Sequence, residues 1–240
     1  MAEPRRAVVV GATGGIGRAL IDALSASKRY DRVIGLSRRR PNDWPADPMT
    51  QQWIGVDILD ENSIASAAAS IAEGGGADLV IVATGVLHGA GLSPEKSYRA
   101  LSAEALARTF AINAIGPALL AKHLLPLMPR AERTVFAALS ARVGSIGDNR
   151  LGGWHSYRAS KAGLNMLIHG LAIEHRRTHP NAVVVALHPG TVETPLSAPF
   201  QAKGARPAAA AANDLLTVID GLTPADSGGF FAFDGAPIPW

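Results

Sequence analysis

The chain has 240 residues, 48% of them hydrophobic and 18% charged, with a net charge of +3 and no cysteine. That size and balance support one α/β domain with a well-buried core. They exclude disulfides, thiolate zinc sites and cysteine nucleophiles, and the one dense basic run, Arg38-Arg39-Arg40, is too little for a nucleic-acid face.

The opening Met-Ala-Glu-Pro-Arg-Arg leads into only a short apolar run, Ala7–Val10, which is no secretory segment and reads as a buried strand. A glycine loop and a helix over Ile16–Ser27 follow. Arg32–Leu36 is a second strand and Trp53–Val56 a third, beyond a loop over Pro41–Pro48. Asn62–Ala72 is an Ala-rich helix that Gly74-Gly75-Gly76 ends. Leu79–Val82 is a fourth strand, with helices over Ala103–Phe110 and Ile115–Met128 behind it. Thr134–Leu139 is a fifth strand, Tyr157–Arg177 a long helix, Ala182–Leu187 a sixth strand and Phe230–Phe233 a seventh. The runs are apolar throughout rather than alternating, as in parallel strands covered on both faces. Strand and helix alternate, which predicts a single-domain, doubly wound parallel sheet of about seven strands. No window holds about 20 uninterrupted apolar residues, so no membrane-crossing helix is expected. The least ordered stretches are Asn42–Thr50 and Ala198–Ala212; the second suggests a substrate lid around 192–213 or, in the plainer reading, a surface loop or Ala-rich helix.

Gly11, Thr13, Gly14, Gly15, Ile16 and Gly17 lie between the first strand and the first helix, spaced Gly-x-x-x-Gly-x-Gly. A helix start offers free N–H groups and positive potential to a pyrophosphate. Glycines let the backbone approach it without a Cβ in the way. This points to a dinucleotide. The end of the second strand, where an acid would select NAD(H), reads Ser37-Arg38-Arg39-Arg40. A guanidinium suits a 2′-phosphate, so NADP(H) is favoured over NAD(H), with Arg38 as the main contact and Ser37 beside it.

Tyr157 and Lys161 form a Tyr-x-x-x-Lys, which places phenol and ammonium on one helix face. A nearby cation favours phenolate, so the sequence predicts a tyrosine of lowered pKa that exchanges a proton with a substrate oxygen.

The glycine spacing and the Tyr157/Lys161 pair together resemble the short-chain dehydrogenase/reductase superfamily, over essentially the whole chain. Val10 stands where that family usually has Thr. The resemblance implies a Rossmann-type fold and hydride transfer between a nicotinamide and a small carbonyl or alcohol. It implies that Asp57, beside Ile58, accepts from the adenine amino group. It implies that Val82-Ala83-Thr84-Gly85 stands for the family's Asn-Asn-Ala-Gly, with the Asn pair missing and Gly85 leaving room for ribose. Asn113 corresponds to the helix Asn that holds a water in a relay towards Lys161. Pro189-Gly190-Thr191-Val192-Glu193-Thr194 corresponds to the family's Pro-Gly-x-x-x-Thr, with Thr194 and the backbone of Val192 on the carboxamide. The active serine falls at the end of the fifth strand. Ser140 is the choice and Ser145 the fallback, since the family's usual position is Ala141 here.

Gly144–Asn149, Gly152-Gly153-Trp154, Thr194–Phe200 and Asp234–Trp240 resemble a carbonyl-reductase-like subgroup that includes C-factor-type signalling proteins. That resemblance, with the missing Asn pair and shifted serine, leaves a second reading: a cofactor-binding signalling protein with little turnover. Relatives pair the helices from Ile115 and Tyr157 between subunits, which implies a homodimer or homotetramer. No metal is expected, and a cytoplasmic setting fits the absence of cysteine.

Overall fold

Consecutive β-branched and aliphatic residues leave a strand no polar face, so such a strand must be covered on both sides. The computed structural model, which describes residues 4–45, 50–89, 91–200 and 204–240, meets that demand. Strands β1 (Arg6–Val10), β2 (Arg32–Ser37), β3 (Gln51–Gly55), β4 (Leu79–Val82), β5 (Val135–Leu139), β6 (Val183–His188) and β7 (Phe230–Ala232) form one sheet. Its order is β3-β2-β1-β4-β5-β6-β7 and every pairing is parallel. The order reverses between β1 and β4, which opens a crevice at the carboxyl ends of those strands.

Helices α1 (Gly15–Ser27) and α6 (Ala208–Gly221) cover one face; α2 (Glu61–Glu73), α4 (Gly116–Leu124) and α5 (His155–His175) cover the other, with α3 (Ala103–Phe110) against α5. Alternate strand residues supply the two cores: Val8 and Val10 to one, Ala7 and Val9 to the other. Helix α2 starts at Asp60, whose side chain accepts from the Asn62 N–H at 3.0 Å, satisfying one free donor of the first turn.

Two expectations change. The run 192–213 is not a lid over its whole length. Ala208 opens α6, whose Ala211, Ala212, Leu215, Leu216 and Ile219 are buried at helical spacing. The described residues before Pro207 are irregular apart from a 3₁₀ turn at Ala198–Phe200, and residues 201–203, like 46–49 of the loop before β3, lie outside the described residues. Second, α3, a five-residue π-turn (Ala111–Ile115), α4 and a short 3₁₀ turn join into one helical run, Ala103–Leu127. At 25 residues, with a stretch of mean hydropathy 1.3 inside it, it has the length and composition to cross a bilayer, although its sequence lacks an uninterrupted apolar window. In this fold it is a core element: Ala114, Leu120, Ala121 and Leu124 are buried within the core beside α2 and α5.

Candidate active site

The glycine loop turns the chain from β1 into α1. Gly11 takes φ +88°, a conformation that L side chains rarely adopt, and its N–H bonds the Leu36 carbonyl at 2.8 Å. A Cβ on Gly17 would lie 2.1 Å from the Gly11 carbonyl oxygen, so Gly17 lets α1 begin directly beneath the loop. Gly17 is itself buried and lines no described cavity; its role is in the turn. The N-cap Gly14 makes no side-chain bond, and no acid occupies the first turn of α1. The positive end of α1 therefore faces the crevice uncompensated.

Two cavities run along the crevice. One of about 330 Å³ is lined by Gly11, Thr13, Gly14, Ser37, Arg38, Asp57, Ile58 and Ala83-Thr84-Gly85. The next, of about 400 Å³, shares Thr13, Gly14 and Ala83-Thr84-Gly85 and adds Gly15, Ile16, Ser140, Tyr157, Lys161, Pro189 and Thr194. Thr194 lies over the loop, so close that a Cβ on Gly15 would come within 2.7 Å of its methyl group. The Thr84 hydroxyl is buried and without a partner. A narrow groove with free helix N–H groups, glycines where a Cβ would collide, and an unpartnered hydroxyl fits a dinucleotide. Arg38 is exposed at its adenosine end. Ser37 departs from expectation: it is buried, its hydroxyl donates to the Arg39 carbonyl at 2.8 Å and accepts from Trp53 Nε1 at 2.9 Å. Its single proton is therefore committed, while the Arg38 side chain beside it stays exposed. Asp57 holds its own turn, accepting from the Leu59 N–H at 3.0 Å.

Helix α5 carries the reacting pair. Lys161 is buried, and its Nζ donates to the Leu139 carbonyl at 2.8 Å and lies 5.9 Å from the centre of the Tyr157 ring. Gly85 lies beside it: a Cβ there would sit 3.6 Å from Nζ, an ordinary contact. Burial pushes the Tyr157 phenol up to about 12 and the Lys161 ammonium down to about 8. This corrects the sequence expectation of a lowered phenol. In the protein alone desolvation outweighs the ammonium, so Tyr157 stays protonated at neutral pH.

Asn113 also has a structural role. It sits in the π-turn, fully buried, and both its amide protons are engaged: Nδ2 donates to the Val86 carbonyl at 2.9 Å and to Ser160 Oγ at 3.1 Å. Its Oδ1 accepts from the Val86 N–H at 2.8 Å. The side chain is a brace between the turn after β4 and α5.

The two candidate serines separate cleanly. Ser140 lines both the cofactor groove and the cavity beyond it, as Tyr157 does. Ser145 points away: its hydroxyl donates to the Pro239 carbonyl at 2.5 Å and accepts from the Asp148 N–H at 3.1 Å, tying down the tail.

Beyond Ser140 and Tyr157 opens a cavity of about 620 Å³ with a mostly apolar wall, including Leu87, Val143, Trp154, Val192, Leu196 and Phe200. Gly190 also lines it. Trp154 takes the left-handed conformation (φ +49°) and packs 5.1 Å from Phe200 and 6.3 Å from Tyr157, centre to centre.

A residue absent from the sequence reading holds this wall. Glu95 is 5% exposed, and its carboxylate accepts from the hydroxyl of Ser156 and from the Ser156 N–H at 3.2 Å. Its carbonyl accepts from the Trp154 N–H at 2.5 Å. Burial alone would raise its carboxyl, but the bonds from Ser156 and from backbone N–H groups outweigh that and hold it below the usual range. Glu95 thus caps the first turn of α5 from another part of the chain, and Ser156, next to Tyr157, is occupied with it rather than with the cleft.

Comparison with known proteins agrees with this geometry. The family model for short chain dehydrogenase matches residues 5–204. The chain is 33% identical to 1-hydroxy-2-glutathionyl-2-methyl-3-butene dehydrogenase of Rhodococcus sp. (strain AD45), over 97% of this chain and 98% of the relative. It is 38% identical to the C-signal protein of Myxococcus xanthus, over 56% of this chain and 78% of that one. Among solved structures, NADPH-bound carbonyl reductase from chicken fatty liver superposes with a TM-score of 0.86 at 27% identity, covering all of both chains. The chain belongs to the short-chain dehydrogenase family of oxidoreductases.

Proposed function

We propose that this protein is an NADP(H)-dependent reductase of small, largely apolar carbonyl compounds. The observation that carries the reading is the meeting of two cavities at Ser140 and Tyr157: a groove suited to a dinucleotide on one side, an apolar chamber on the other. NADP(H) is supported by Arg38, exposed at the adenosine end with no acid at the end of β2, and by the NADPH held by the chicken carbonyl reductase.

When bound, the nicotinamide supplies the hydride. The protein supplies position and protons. Tyr157 Oη gives its proton to the carbonyl oxygen as that oxygen gains charge, a role that suits a phenol kept protonated by burial. Ser140 hydrogen-bonds the same oxygen and fixes its place. Lys161 holds the ribose hydroxyls with its ammonium. Gly11, Thr13, Gly14, Gly15 and Ile16 hold the phosphates, with Gly17 closing the turn. Asp57, Ile58, Ala83, Thr84 and Gly85 enclose the adenosine half. Pro189, Gly190, Val192 and Thr194 bound the nicotinamide, and the segment 194–200 covers the substrate.

The outer faces of the helical run and of α5 leave Ile115, Met166, Leu167 and Ile173 exposed. That supports a homodimer or homotetramer through these helices.

The test is NADPH oxidation over a panel of apolar aldehydes and ketones, with wild type beside Tyr157→Phe. Wild type turns over, and Tyr157→Phe loses about 10²- to 10⁴-fold in kcat while NADPH binding is retained. No turnover by either protein, with tight NADPH binding by both, would point instead to a signalling role, as the likeness to the C-signal protein suggests.

A further inference from the structure

Tyr157, Lys161 and Asn165 are spaced four apart on α5 and so form one stripe. All three meet the end of β5. Tyr157 shares its cavities with Ser140, Lys161 donates to the Leu139 carbonyl, and Asn165 Oδ1 accepts from Ser140 Oγ at 2.6 Å. Asn165 is 2% exposed and lines none of the described cavities, so neither substrate nor cofactor reaches it. Its other amide atom, Nδ2, is buried without a partner.

These facts conflict with the chemistry required of Ser140. A serine hydroxyl has one proton. While Ser140 gives it to Asn165, only lone pairs face the cleft, and lone pairs repel a carbonyl oxygen. A half-turn of the amide removes the conflict. Nδ2 then donates to Ser140 Oγ, and the serine proton turns into the cleft. Oδ1 moves to the unpartnered place, where an unpaired acceptor is better tolerated than an unpaired donor.

We propose that Asn165 is the positioning residue of Ser140: its amide, turned so that Nδ2 faces Oγ, aims the serine proton at the substrate oxygen. With Oδ1 facing Oγ at 2.6 Å, the serine is held in place but its proton is withheld. In the turned state the carbonyl oxygen accepts the Ser140 proton as a hydrogen bond and takes the transferred proton from Tyr157. Ser140 keeps its own proton throughout. The inference rests on the reductase reading above, since it assigns Ser140 to the substrate oxygen.

A double-mutant cycle tests it. Ser140→Ala and Asn165→Leu are each expected to lower kcat about ten- to a hundredfold with little change in the KM for NADPH. Because Asn165 acts through Ser140, the double variant should be no slower than Ser140→Ala. Losses that multiply, or an Asn165→Leu protein as fast as wild type, would overturn the proposal while leaving the Tyr157 result untouched. A second measurement needs no variant and no turnover. A neutron crystal structure of the wild type with NADPH should show deuterium on the Asn165 atom facing Ser140 Oγ. Finding Oδ1 there, with the serine deuteron pointing at it, would refute the inference even if the variants fail to fold.

Discussion

The cofactor groove and the substrate cavity meet at two residues and are built in different ways. The groove is made by backbone: strand ends, a glycine turn at positive φ, and the open start of α1. The cavity is made by side chains on irregular segments, 141–154 and 189–200, and these are held by tertiary bonds such as those from Glu95. A backbone-built site tolerates almost no added atom. A side-chain-built site tolerates changes in its wall but depends on the few bonds that anchor it.

The sharpest way to break that contrast is Gly17→Ala. Its Cβ would meet the Gly11 carbonyl at 2.1 Å, so the loop must shift, at a cost of about 3 kcal/mol, the upper end of overpacking penalties. Thermal unfolding and NADPH titration should show a lowered Tm and lost binding together. If binding survives, the groove is less rigid than its geometry implies. On the other side, Glu95→Ala leaves the Ser156 N–H and hydroxyl without their acceptor. That should cost about 2 kcal/mol and lower Tm by about 4–8 °C. NADPH affinity should stay near wild type, because Glu95 touches only the substrate side. A matching loss of cofactor affinity would erase the distinction between the two regions.

Arg38→Ala sharpens the picture within the groove. Losing charge-assisted bonds at an exposed site should weaken NADPH about tenfold and leave NADH unchanged, read by fluorescence titration. Equal effects on both cofactors would remove Arg38 from phosphate recognition. The smallest effect is a pH dependence. The ammonium of Lys161 is lowered by burial, so the free protein loses that proton as pH rises through about 8. A cofactor whose ribose hydroxyls favour the ammonium must take the proton up again. NADPH affinity should therefore fall as pH rises above about 8, by no more than about tenfold per unit, and Lys161→Met should flatten the profile.

The same contrast explains what could be read from the sequence. Strands such as Val8-Val9-Val10 and Val183-Val184-Val185 announce themselves, because short, β-branched apolar runs suit a strand covered on both faces and are too short for a buried helix. The glycine loop and the Tyr157/Lys161 spacing were legible because local geometry sets them. Helix α6 stood only as the plainer alternative of an Ala-rich helix, because its alanine start blurs the period that Ala211, Leu215 and Ile219 carry. Glu95 gave no signal, since its partner Ser156 lies 61 residues away. The direction of the tyrosine shift was misread because proximity to a lysine shows in spacing and burial does not. Ser37 lines the groove, but its hydroxyl's commitments were invisible for a similar reason: only the fold brings Trp53 and the Arg39 carbonyl to it.

The π-turn at Ala111–Ile115 has a consequence for the length of the chain there. A π-turn is one residue more than an α-helix needs. Deleting a single residue between Phe110 and Asn113 would restore regular winding and make a better isolated helix. It would also rotate everything on one side by about 100° relative to the other. Asn113 could then no longer reach Val86 and Ser160 while α3 and α4 kept their packing. The helix is therefore fixed in residue count as well as in composition, and an irregularity that weakens the rod keeps the two halves of the site in phase.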